Sequence, residues 1–161
     1  MHLTASYDTI VGMTITQSKY AGLQKAYDVF NRELFNKELP QCLITLQRKS
    51  RALGYFSPER FAARNSEGTA HELAMNPDYF GRTDTETLST LAHEMAHVWQ
   101  QALGTPPRRC YHDRQWAAKM REIGLQPSDT AEPGGAETGQ RMSHYIVEGG
   151  KFARVAAKPR M

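Results

Sequence analysis

Residues 91–100 read LAHEMAHVWQ, and His93, Glu94 and His97 within them are the side chains best suited to chemistry. On a helix, two histidines four apart lie one turn from each other on one face. They can offer two imidazole nitrogens to one tetrahedral ion. Glu94 stands beside them without being forced into the metal shell. A general base is needed there, close to a water whose proton it can take. Zinc lowers the pKa of such a water towards about 7, so the glutamate's task is modest. Leu91, Met95, Val98 and Trp99 surround the polar residues with an apolar stripe, and ionisable groups among apolar neighbours are costly unless paired or bound to metal.

A catalytic zinc site usually takes three protein ligands and keeps one position open. The remaining histidines are His2, His71, His112 and His144, and the position six residues after His97 is Leu103 rather than histidine. His112 is the best-placed third ligand. Pro106 and Pro107 turn the chain back, and His112 stands at the entrance of the next helix. Glu122 on that helix and the thiolate of Cys110 are the alternatives. His71 and Glu72 form a second His-Glu pair, but TAHELAMN reads as a strand, which sends them to opposite faces.

The elements that must position these residues follow from periodicity and punctuation. Tyr20, Leu23, Tyr27, Phe30 and Leu34 mark one face of a helix from Thr16, closed by Pro40. QCLITLQ (41–47) is a strand. ALGYF and RFAAR read as two short strands around Ser57-Pro58-Glu59, with a further turn at 65–68. TAHELAMN is a fourth strand, ended by Pro77 and read as a sheet edge able to pair with an extended peptide. Thr83-Asp84-Thr85-Glu86 fits a capping box and opens the helix that carries His93. Asp113 to Ile123 is a second helix with Trp116, Met120 and Ile123 inward and Gly124 as its stop. Residues 126–141, rich in Gly, Pro and Thr, read as a mobile polar loop. HYIVEGGKFARVA, within 143–156, reads as a hairpin turning at Gly149-Gly150. Strands segregated from helices indicate an α+β fold.

At 161 residues the chain fits one domain with its own core. No apolar run suits a membrane helix, so no membrane partner is expected. The N-terminus lacks the charged-then-apolar pattern of a secretory signal. Cys42 and Cys110 do not make a disulfide framework, and a cytoplasmic location is the expectation. The net charge of +3 is mildly basic, with clusters at Arg48-Lys49-Ser50-Arg51, at Arg108-Arg109 and in the tail 151–160. It permits an acidic partner such as nucleic acid without requiring one.

Four stretches together resemble the SprT-like zinc metalloproteases: ALGYFSPERF, HELAMNPDYF, LAHEMAHVWQ and YHDRQWAAKMREIG. The likeness covers about 16–125. HExxH with a histidine fifteen residues after its second histidine is far more specific than HExxH alone. The resemblance implies one zinc ion on His93, His97 and His112, Glu94 as base, and a zincin-like fold in which a small antiparallel or mixed sheet packs on the HExxH helix. It also implies a protein or peptide substrate and action near DNA, on proteins trapped there. Many relatives carry a cysteine-rich zinc ribbon after the protease part, whereas the 143–156 region has no cysteine. Peptide hydrolysis is therefore the expected activity. Tyr111, Arg114, His144 and Tyr145 are the candidate oxyanion donors. The rival reading is a nucleic-acid- or protein-binding module with a structural zinc site, closed by four ligands.

Overall fold

The computed structural model describes residues 12–62, 68–109 and 111–158. The first helix, α1 (Ile15–Leu34), begins at Thr14, whose hydroxyl accepts from the Gln17 N–H while the Gln17 side chain accepts from the Thr14 N–H. This reciprocal cap satisfies two donors that a helix start leaves without partners. Tyr27, Phe30 and Leu34 are buried at steps of three and four, as the periodicity predicts, while Tyr20 is exposed because the first turns project beyond the core.

Three strands follow: β1 (Leu43–Leu46), β2 (Gly54–Ala62) and β3 (Thr69–Met75), arranged in the order β1-β3-β2. β1 runs parallel to β3, and β2 runs antiparallel to it. Two expectations are corrected here. ALGYF and RFAAR are not separate strands, because β2 runs through Ser57-Pro58-Glu59 with a register shift between Ser57 and Phe61. Proline lacks a ladder donor and is tolerated on an edge strand at such an irregularity. Glu59 sits at φ 51° and gives its N–H to His71 Nδ1 at 2.8 Å instead of to the ladder. TAHELAMN is also not an edge: β3 is the middle strand, and β2 is the edge on the side of the HExxH helix. Of the turn expected at 65–68, positions 65–67 lie outside the described residues.

The helix α2 (Asp84–Leu103) opens with the predicted box, Thr83 accepting from the Glu86 N–H and Glu86 accepting from the Thr83 N–H. Leu88, Leu91, Met95 and Val98 face inward. Asp113 caps α3 (Arg114–Ile123) by accepting from the Trp116 N–H at 3.0 Å. Gly124 ends α3 at φ 95°, a conformation that disfavours any side chain, and a Cβ there would also meet the Phe152 nitrogen at 2.7 Å.

The C-terminal region differs most from the expectation. β4 (Leu125–Ser128) lies within the stretch read as loop and pairs antiparallel with β5 (Ser143–Ile146). The remainder of that stretch is held in place: Asp129 N–H reaches Ala136 O at 2.9 Å, and Arg121 pairs with Glu137 at 2.9 Å. The expected hairpin over 143–156 does not form. β5 takes β4 as its partner, and Lys151–Ala156 forms a short helix, α4, that buries Phe152 and Val155. Phe152 meets Phe30 of α1 at 5.5 Å between ring centroids. One apolar core thus joins α1, α2, α3, α4 and the inner face of the three-stranded sheet. The architecture is mixed α+β with two small sheets.

Candidate metal and catalytic site

The middle of α2 is buried all round, because the sheet covers one side and α3 and β5 cover another. His93 and Glu94 are therefore only 7% and 6% exposed. His97 projects one turn later, and His112, just ahead of α3, completes the group. Ring centroids are 5.4 Å apart for His93 and His97, 5.6 Å for His93 and His112, and 4.7 Å for His97 and His112. One nitrogen from each of the three lies within 4.8 Å of the others.

Each imidazole is oriented by a different device. His93 Nδ1 lies 3.0 Å from His144 Nδ1. His112 Nδ1 lies 3.1 Å from the Gly139 carbonyl, and the two backbones exchange hydrogen bonds of 2.8 and 3.0 Å. Since a carbonyl only accepts, His112 carries its proton on Nδ1 and leaves Nε2 free. His97 stacks on Trp116 at 5.3 Å with planes inclined by 16°. Trp116 also meets His93 and His112 edge-on at 4.9 and 4.6 Å, so one buried indole forms the floor under all three. Gln100 Nε2 reaches both Asp113 oxygens, at 2.8 and 2.9 Å, and ties the end of α2 to the start of α3 beside His112.

Burial disfavours charge throughout this group. It pushes His93 well below the ordinary histidine range, with repulsion from His144, His97 and His112 adding to the effect. Burial, then His112, lowers His97 to about 3. His112 is lowered by burial, against the opposing pull of the Gly139 and Gln140 carbonyls. Neutral imidazoles with converging lone pairs are what a metal ion requires. Burial raises Glu94 to about 8, opposed only by the charge of Lys49. Its side chain packs close to Gly54 of β2, where a Cβ would lie 3.4 Å from Glu94 Cγ.

The other candidates lie elsewhere. Glu122 is on the outer face of α3, paired with Lys119 at 3.0 Å. Cys110 and His2 lie outside the described residues. His71 packs edge-on to Phe56 at 5.4 Å, and buried Glu72 accepts from Thr45 Oγ1 at 2.9 Å. Among the oxyanion candidates, Tyr111 lies under Arg108, whose guanidinium carbon is 4.2 Å from the ring centroid, and Arg114 is exposed. Tyr145 follows His144 on β5 and so faces the opposite side of the strand. His144 itself is engaged by His93 and, through Nε2, by Ser89 Oγ at 2.9 Å. The contacts of Trp116, Gly139 and His144 with the histidines were not foreseen from the sequence. His144 was singled out from the sequence as an oxyanion candidate, but its approach to His93 depends on the pairing of β5 with β4.

The chain belongs to the SprT-like family, whose model matches residues 23–134. Domains of this family are metalloprotease-like. The chain is also similar to an uncharacterized protein in the mucB 3' region of Salmonella typhimurium, 53% identical over 58 residues, which span 36% of this chain and 78% of that protein. No solved structure matches it. Among the described residues, no helix is long and apolar enough to cross a membrane.

Proposed function

We propose that the chain is a zinc-dependent endopeptidase of zincin-like architecture. The observation that carries this reading is the approach of three imidazole nitrogens to within 4.8 Å beside a buried carboxylate on the same helix. The donor set fits a zinc ion. Three neutral nitrogens converge, two of the rings spend Nδ1 on protein partners, and among the described residues no fourth His, Cys, Asp or Glu joins the group. That composition matches a site with an open position better than a closed structural one. His93, His97 and His112 would hold the ion, which when bound supplies carbonyl polarisation and a more acidic water.

Glu94 takes a proton from the attacking water and returns it to the leaving amine. Burial raises the proton affinity of this carboxyl in the metal-free chain, and the charge of a bound divalent ion would favour the carboxylate form that the base requires. An extended peptide can add to the edge of β2 that no strand among the described residues pairs with, and β2 lies against α2 next to Glu94. Glu94→Gln should keep the metal and slow peptide cleavage by roughly a hundredfold to ten-thousandfold. Cleavage at the parent rate by a zinc-loaded Gln variant would remove Glu94 from this role.

Action on DNA-associated proteins has its own support. A groove of about 630 Å³ beside the sheet is lined by Arg48, Lys49, Arg60 and Arg109, with Glu72 as its acidic group. Four phosphate contacts there predict that DNA affinity falls roughly a hundredfold between about 50 and 200 mM salt. Affinity indifferent to salt would count against this use of the groove.

A further inference from the structure

We infer that His144 and Ser89 are positioning residues that fix the tautomer of His93 and so direct its Nε2 lone pair to the metal. The inference rests on the reading of His93 as a zinc ligand. The chain of hydrogen bonds leaves little freedom in where the protons sit. Ser89 Oγ lies 2.7 Å from the Glu86 carbonyl, which can only accept, so the hydroxyl proton goes there. Ser89 Oγ then accepts from its other neighbour, His144 Nε2, at 2.9 Å. A neutral His144 with its proton on Nε2 has a bare Nδ1. That atom faces His93 Nδ1 at 3.0 Å, and the contact is a hydrogen bond only when one of the two carries a proton. His93 must therefore donate from Nδ1, which leaves Nε2 with its lone pair free.

The relay starts and ends on α2: Glu86 and Ser89 lie one turn apart, His93 one turn further, and His144 bridges them from β5. Ser89 is 3% exposed and His93 7%, so water offers little competition for these bonds. The strand pair β4–β5 thereby acquires a purpose in the site. It holds the imidazole that stands behind the first metal ligand, as the Gly139 carbonyl stands behind His112. Outer partners of this kind fix ring orientation and raise ligand basicity.

The test has two readouts. Long-range proton–nitrogen spectra of the histidine-labelled, zinc-free 161-residue chain should show His93 protonated on Nδ1 and His144 on Nε2. Zinc affinity by chelator competition should fall about ten- to a hundredfold in His144→Phe. His144→Asn, whose amide oxygen can accept from His93, should recover most of that loss. Ser89→Ala, which leaves the packing of β5 intact, should weaken zinc severalfold and release the tautomer of His144. It remains usable if His144→Phe does not fold. His93 protonated on Nε2 in the parent chain, or unchanged zinc affinity in both His144→Phe and Ser89→Ala, overturns the inference. Failure of the parent chain to bind zinc would instead strike the proposed function, because the zinc-free tautomers are read independently of the metal.

Discussion

Gly54→Ala tests whether the sheet sets the position of Glu94. Gly54 lies where β2 crosses α2, and an added Cβ would sit 2.8 Å from the Ala74 carbonyl oxygen, 3.3 Å from Thr90 Cγ2 and 3.4 Å from Glu94 Cγ. The first contact is too short to persist. Its partner is backbone of β3, paired on both sides, so it cannot rotate away. The edge strand β2 must shift outward instead, by several tenths of an ångström. Overpacking of this kind costs about 1–3 kcal/mol, offset by up to about 1 kcal/mol because alanine loses less backbone entropy than glycine. The expected net loss of stability therefore lies between about 0 and 3 kcal/mol, centred on about 1.5 kcal/mol. Since a 1 Å misplacement can cost about a hundredfold in rate, a smaller shift against Glu94 should lower kcat roughly tenfold at saturating peptide. The three histidines face α3 and β5, so zinc affinity should stay within about twofold of the parent, an estimate from the weak coupling of sites without shared partners. Urea unfolding, chelator competition and saturating-substrate kinetics measure the three quantities separately. Parent-like kcat and stability would refute the close approach; loss of zinc together with activity would show that β2 supports the metal ligands as well.

In the metal-free chain, Glu94 keeps its proton up to about pH 8, whereas an unfolded carboxyl releases it near 4.5. Stability contributed by this group thus falls as pH rises through that window, and Glu94→Gln should make the metal-free chain more stable at pH 8 than the parent, as urea unfolding reads. His97 and His144 have the opposite sign: burial holds them near 3 and 4, against 6.5 for an unperturbed histidine. In metal-free Glu94→Gln, where the opposing carboxyl is absent, stability should therefore drop as pH falls below 6.5, which urea unfolding at pH 7 and pH 5 measures; equal midpoints in that variant would deny the burial of His97 and His144 as neutral groups. Trp116 lies within 5.3 Å of all three imidazoles, so zinc loading should change tryptophan emission, and the change should vanish in Trp116→Phe while Trp99 still emits. Trp116→Ala should cost about 3–5 kcal/mol in urea unfolding.

Much of this site was legible because local rules governed it. The Thr83–Glu86 box fixed the start of α2, four-residue spacing put His93 and His97 on one face, and Pro106-Pro107 with Asp113 delivered His112 to the start of α3. The sheet order was not legible, since the pairing of β3 between β1 and β2 is a long-range choice that alternation along one strand does not encode. β4 was hidden by Pro127, which breaks a strand pattern yet is tolerated where β4 pairs on one side only. KFARVA was misread because six residues with apolar positions three apart are too few to separate helical from strand periodicity. Gly149-Gly150 suggested a hairpin, but the partner of β5 had already passed, at residues 125–128. The role inferred for His144 depends on that same long-range pairing, which is why an oxyanion donor seemed as good a reading of it from sequence.

The central claim is that His93, His97 and His112 hold one zinc ion for which Glu94 is the base, and metal content tests it most directly. Zinc should be measured per chain in the purified parent, His112→Ala and Glu94→Gln proteins after dialysis against a weak chelator. The account predicts one zinc in the parent and in Glu94→Gln, with little in His112→Ala. Equal zinc in the parent and His112→Ala, or none in the parent, would contradict it.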